Sequence, residues 1–277
     1  MKFGAFEIEI LSDGTFGLDG GQMFGVVPKA LWEKELQADE HNRVRLGLNC
    51  LLVRTGKCNV LIETGIGDKF DAKHTAIYNI HHQPNLLDDL ALHGLSPNDV
   101  DIVINTHLHF DHCGWNTRRE GSNVVPTFPR ARYFVQRAEW EHALYPSERD
   151  HASYIEKWFA PAEPQTMFIE GPREIVPGIR VELAPGHNRN MQCVWIESED
   201  RKACFISDLV PTHAHLSFPW IMAFDLYPME TLESKKRLLP QLAEGRVLIV
   251  FPHDADVPTG VLTEVESKLA FQPVNVT

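Results

Sequence analysis

The stretch Asn105-Thr106-His107-Leu108-His109-Phe110-Asp111-His112-Cys113-Gly114-Trp115 decides the reading of this 277-residue chain. Three histidines and one aspartate fall within six positions, spaced His-x-His-x-Asp-His. His107 and His109 stand two apart, so in an extended segment both imidazoles leave the backbone on one side and can close on a single ion. Asp111 and His112 come where the chain must turn, and can serve a second ion. The run has no apolar periodicity of its own, so packing gives it little reason to exist.

Immediately before it, Val100-Asp101-Ile102-Val103-Ile104 reads as a short β-branched strand that delivers the cluster at its carboxyl end. There a sheet holds the backbone rigid while the loop beyond it stays accessible. The same arrangement recurs downstream: Ile179–Leu183 runs into His187, Lys202–Ile206 into Asp208, and Arg246–Phe251 into His253. Upstream, Phe6–Leu11 reads as a strand ended by the turn Ser12-Asp13-Gly14. Residues 17–40, rich in glycine with interspersed aromatics, read as a protruding arm or loop. Leu46–Arg54 and Asn59–Glu63 read as a buried hairpin. The Leu86, Leu87, Leu90 and Leu92 spacing predicts a helix over Asn85–His93, stopped by Gly94. A second helix is expected over Met229–Leu242. The order of elements gives one domain, residues 1–277, in two similar halves that break near residue 165.

Composition bounds the function. With 43% hydrophobic and 23% charged residues the chain has ample material for a core, and a formal charge of -12 without a basic patch excludes an extended nucleic-acid-binding face. The five cysteines are scattered and form no C-x-x-C pair, which suits a reducing cytosol. The first ten residues alternate like a strand and carry no export signal, and no run approaches the roughly eighteen apolar residues a membrane span needs. The expected setting is cytoplasmic, with no membrane association.

Taken as a set, His107, His109, Asp111, His112, His187, Asp208 and His253 resemble, in type, order and spacing, the metallo-β-lactamase superfamily of hydrolases. The resemblance covers essentially the whole chain. It implies an α/β fold, a four-layer αββα sandwich with the metals at one edge. It also implies that His107, His109 and His187 bind a first divalent ion, that Asp111, His112 and His253 bind a second, and that Asp208 bridges them. Imidazole and carboxylate donors suit zinc, with manganese, iron or cobalt as alternatives. The loops Met23–Lys29 and Asp208–Leu216 look like the branch containing quorum-quenching lactonases and methyl parathion hydrolase. The resemblance therefore implies a hydrolase that cleaves an ester or lactone of a small molecule by a metal-bridging hydroxide, with Asp111 passing a proton to the leaving group.

The sequence departs from that pattern at two positions. Acyl-homoserine lactonases typically carry a tyrosine three residues beyond the bridging aspartate, where this chain has Pro211; Tyr227 is the candidate replacement. The usual Asp-Thr-Gly after the early hairpin appears as Glu63-Thr64-Gly65, with Glu63 expected behind the metal ligands. Phe24 and Trp115, together with Trp32 and Trp220, are candidates for an apolar pocket wall, and His213 and His215 for substrate contact. Two other chemistries stay open on this scaffold: phosphotriester hydrolysis, and iron-based redox or sulfur processing. A homodimer through the arm is the expected assembly.

Overall fold

Alternation along the strands builds the molecule, because successive side chains leave opposite faces and both faces of these strands are apolar. The computed structural model describes residues 1–265 and 268–276. Its first half forms a seven-stranded sheet from β1 (Lys2–Phe3), β2 (Phe6–Asp19), β3 (Arg43–Arg54), β4 (Asn59–Ile62), β5 (Ile102–Ile104), β8 (Arg132–Gln136) and β9 (Thr166–Ile169), in that spatial order. A small hairpin, β6 (Thr117–Glu120) with β7 (Asn123–Pro126), stands apart. The second half forms another seven-stranded sheet, β10 (Arg173–Val176), β11 (Ile179–Leu183), β12 (Gln192–Ser198), β13 (Arg201–Phe205), β14 (Leu248–Val250), β15 (Thr259–Val265) and β16 (Lys268–Pro273). The chain crosses between sheets at residues 170–172.

The two sheets share one core. Val53, Ile62, Ile104 and Phe134 from the first meet Val181, Val194, Phe205 and Val250 from the second. The alternate residues face outward under helices. Cys50, Leu52, Leu61 and Val103 pack against Leu86 and Leu90 of α4 (Leu86–Leu92), which comes after α1 (Gly20–Phe24), α2 (Lys29–Trp32) and α3 (Ala72–Ile77) along the chain. Beyond α5 (Arg137–Leu144), the helix α6 (Pro228–Glu244) lays Leu238, Leu239 and Leu242 on Cys193, Cys204 and Ile249. The result is the four-layer αββα sandwich expected from the sequence. No helix among the described residues is long and apolar enough to cross a membrane.

Two local expectations need correction. The first strand does not end at Ser12-Asp13-Gly14; it continues to Asp19 through a register shift between Ser12 and Thr15. Asp13 turns inward at this bulge, fully buried, and accepts from the backbone N–H groups of Ile66, Gly67 and Leu86 and from Trp115 Nε1. Residues 17–40 are not a free arm. Met23, Phe24 and Trp32 are at most 1% exposed, packed against Leu46, Ile66 and Met222, while Val26 at the tip is 91% exposed.

Candidate metal centre

Each histidine and carboxylate of the cluster is set by a strand end. Beyond β5, Thr106 is pinned by its N–H, which donates to Glu63 Oε1 at 2.7 Å, and by its hydroxyl, 2.6 Å from the Ser207 hydroxyl just after β13. That second contact ties the first sheet's loop to the second sheet's. His187 comes after β11, Asp208 after β13 and His253 after β14. The structure brings all seven together at one edge of the sandwich, although they span 147 positions of sequence, from 107 to 253.

Nitrogens face nitrogens there. His109 Nδ1 lies 3.0 Å from His187 Nε2, and His112 Nε2 lies 3.1 Å from His253 Nε2. Asp208 spans the two pairs: Oδ1 is 3.2 Å from His253 Nε2 and 3.5 Å from His112 Nε2, and Oδ2 is 3.4 Å from His187 Nε2. Asp111 Oδ2 lies 3.6 Å from His253 Nε2. The ligand atoms of His107, His109 and His187 fall within 4.8 Å of one another, as do those of Asp111, His112 and His253, and those of His107, His112 and Asp208. Buried polar atoms normally find partners. His107 Nε2 and Asp208 Oδ1 are buried without a hydrogen-bond partner among the described residues. A pair of divalent cations fits these orphaned donors and this imidazole–carboxylate set.

Electrostatics point the same way. Burial, reinforced by neighbouring imidazoles, holds His107 and His109 well below the ordinary histidine pKa, so both present neutral rings. Burial also opposes a charge on His112, but Asp208, Asp111 and Glu63 outweigh it and push its pKa up to about 10. Asp208 stays ionised because His112 and His253 overcome the cost of its burial. The carboxylates thus create a place for positive charge in a buried site. Glu63, at φ +65°, sits behind His112 with Oε2 3.7 Å from Nδ1, and burial raises its pKa to about 7.

A cavity of about 420 Å³ opens onto the cluster, with His109, Asp111, His187, Asp208 and His253 in its floor. The wall is mixed: Leu18, Met23, Phe110, Met222, Phe224 and Leu226 are its apolar part, and Gln22, Tyr78, Arg149, Asp150 and Ser153 its polar part. None of the expected pocket residues is among those lining it. Phe24 is sealed behind Met23, stacked between His215 at 4.6 Å and Trp32 at 5.0 Å, with Trp220 edge-on at 5.7 Å. Trp115 is held beneath the site by its bond to Asp13. His215 commits both ring nitrogens, to Met23 O and the Thr212 hydroxyl, and burial lowers its pKa to about 4. His213 Nδ1 is 2.5 Å from Asp254 Oδ2 and its ring stacks on Phe271. Tyr227 does not line the cavity; its ring carries the Arg189 guanidinium at 4.3 Å. Cys113 is buried and donates to Leu108 O.

Sequence reasoning passed over Tyr78, Arg149 and Asp225. Tyr78 and Arg149 come from segments without motif character. Asp225 carried a readable signal, a carboxylate between two apolar residues just before a helix-starting proline; its Oδ1 lies 3.0 Å from His187 Nδ1.

Comparison with known proteins agrees with this geometry. The chain is 26% identical over 230 residues to N-acyl homoserine lactonase of Bacillus cereus, covering 79% of this chain and 86% of that protein. A crystal structure of a probable metal-dependent hydrolase from Staphylococcus aureus matches with a TM-score of 0.92 at 32% identity, over 99% of each chain. AidC, a dizinc quorum-quenching lactonase, shares the fold with a TM-score of 0.82 at 22% identity, over 99% of this chain and 96% of that one. The family described as Metallo-beta-lactamase superfamily matches residues 44–253, most of the chain and every one of the seven clustered residues, and the protein belongs to that superfamily.

Proposed function

We propose that this protein is a dinuclear metal-dependent hydrolase acting on an ester or lactone bond of a small molecule. The observation that carries the reading is Asp208, whose two oxygens face two separate histidine groups on the floor of a cavity. His107, His109 and His187 would hold one ion, Asp111, His112 and His253 the other, and Asp208 both. Zinc is the proposed metal, given the donor set and the dizinc character of AidC. When bound, such ions supply a water acidified towards a pKa of about 7 and a Lewis-acid contact for a carbonyl oxygen.

The chain's own residues do the rest. The apolar part of the wall would seat an acyl portion of the substrate. Asp111, at the cavity floor beside His253, is the proposed carrier of a proton to the leaving alcohol. Tyr78 offers a phenol to the cavity where Pro211 offers nothing; nearby Asp111 and, chiefly, burial raise its pKa, so at neutral pH it is a hydrogen-bond donor. The five free cysteines support a cytoplasmic setting, and exposed Val26 and Leu31 support a homodimer contact on residues 17–40.

The test pairs metal quantification with a panel of lactones, aryl esters and phosphotriesters. Two zinc equivalents and turnover confined to lactones or esters are expected. Turnover of phosphotriesters alone, or stoichiometric iron with dioxygen consumption, would overturn the assignment.

A further inference from the structure

The ring nitrogens that point away from the cluster have unequal partners. His253 Nδ1 donates to Gly47 O at 2.9 Å, and His107 Nδ1 faces the Thr106 hydroxyl at 3.0 Å. His187 differs, with Nδ1 3.0 Å from Asp225 Oδ1. Among the described residues it is the one member of the cluster with a carboxylate at hydrogen-bond distance on that side. Asp225 is 4% exposed, and its other oxygen accepts from the Thr231 hydroxyl, in the first turn of α6, at 2.6 Å.

Backbone contacts clamp the same region. Leu226 N–H donates to His187 O at 3.0 Å and Tyr227 N–H to Gly186 O at 2.9 Å. Gly186 has φ +146°, and a Cβ there would stand 2.2 Å from Thr231 Oγ1, so the His187 loop is pressed against α6. Capping does not explain Asp225, because α6 starts from Tyr227 with no side-chain cap bond. A carboxylate this deeply buried is costly unless donors meet both oxygens, and among the described residues its two donors are His187 and Thr231.

We infer that Asp225 is the positioning residue for His187. By accepting the Nδ1 proton it fixes the tautomer that leaves Nε2 bare towards the centre, and Thr231 holds the carboxylate in the orientation that does so. His187 groups with His107 and His109 only, so the effect falls on one of the two ions. Phe224 and Leu226, on either side of Asp225, line the cavity, so a single loop serves as substrate wall and as buttress of the first-ion ligands. The inference rests on the proposed ion pair.

The test uses the full chain, stripped of metal and titrated with zinc against a chromogenic chelator, with cobalt(II) absorption as a second readout and melting of the metal-free proteins as a folding control. Asp225→Ala is expected to weaken one site about 10- to 100-fold, leave the other within about twofold, and alter the cobalt spectrum as His187→Ala does. Asp225→Asn, whose amide oxygen still accepts the Nδ1 proton, is expected to restore most of that affinity; Thr231→Val, which frees the carboxylate to turn, is expected to lose part of it. Equal weakening of both sites, an Asn variant no better than Ala, or a lowered metal-free melting temperature with unchanged affinity would each overturn the role of Asp225. Should the Ala variant not fold, the Asn and Thr231→Val proteins carry the comparison, and affinity unchanged in Thr231→Val overturns it. A wild-type protein binding fewer than two zinc ions would instead overturn the proposed function.

Discussion

His215 stands two residues from His213 in a loop that begins at Asp208, and its sequence position invited a role at the substrate. Its surroundings deny it one. The ring is buried against Phe24, its nitrogens are used by Met23 O and Thr212, and burial takes its pKa down to about 4. That burial makes stability depend on pH. A group whose folded pKa is depressed from 6.5 binds its proton more readily in the unfolded chain, so stability is full above about 6.5 and is lost as pH falls towards about 4. Between pH 7 and pH 5 the loss assignable to this ring is about 2 kcal/mol. Urea unfolding of metal-free wild type and His215→Gln at both pH values measures it, since the other histidines cancel in the difference. The wild type is expected to lose about 2 kcal/mol more than the variant over that interval. An equal loss in both proteins would mean the ring does not titrate as its burial requires.

Elements were legible where the signal was local. The helix expected over Asn85–His93 is α4, with Asn85 as its cap accepting from Leu87 and Asp88 N–H groups, and Gly94 comes just beyond it with φ +73°. Strands β4, β5 and β13 stand where β-branched and apolar runs predicted them. What could not be read was long-range compensation. Ser12-Asp13-Gly14 has turn chemistry, but the strand runs through it because Asp13 finds four donors in three distant segments, at Ile66 and Gly67, Leu86, and Trp115. Likewise, glycines and aromatics in residues 17–40 resemble a loose arm until Trp32 and Phe24 meet their cavities. The Asp13 bulge makes its own prediction. Asp13→Ala would strand those donors in the interior at about 1–3 kcal/mol each before relaxation, so a loss of at least about 3 kcal/mol is expected. Asp13→Asn is expected to be nearly as damaging. Leu86 N–H and Trp115 Nε1 can keep the amide oxygen, but the amide NH₂ would then face the N–H groups of Ile66 and Gly67, donor against donor. Denaturant midpoints for the two variants check this; an Asn variant of wild-type stability would show that the ladder around the bulge, not the carboxylate, holds it.

Across the molecule the proposed centre would act as a fastener between the sheets. His107, His109, Asp111 and His112 hang from the first sheet, and His187, Asp208 and His253 from the second. The seven clustered residues were legible in the sequence because each comes after a strand, while the cavity wall was not, because Leu18, Phe110 and Met222 reach it from segments far apart in the chain. Bound ions therefore favour the arrangement in which both halves are folded and docked. Each ion held at about 100 times its Kd adds about 2.7 kcal/mol to global stability, about 5 kcal/mol for two. Removal by a strong chelator is expected to lower the melting temperature on the order of 10 °C. Hydrogen exchange locates the effect. Amides at His112, Cys113 and Gly114 in the first half and at Gln192 and Leu226 in the second are bonded within or beside the cluster, and protection should fall at both sets together when metal is withdrawn. Loss confined to one set, with an unchanged melting temperature, would mean that the halves dock without the centre and that the ions act on chemistry alone.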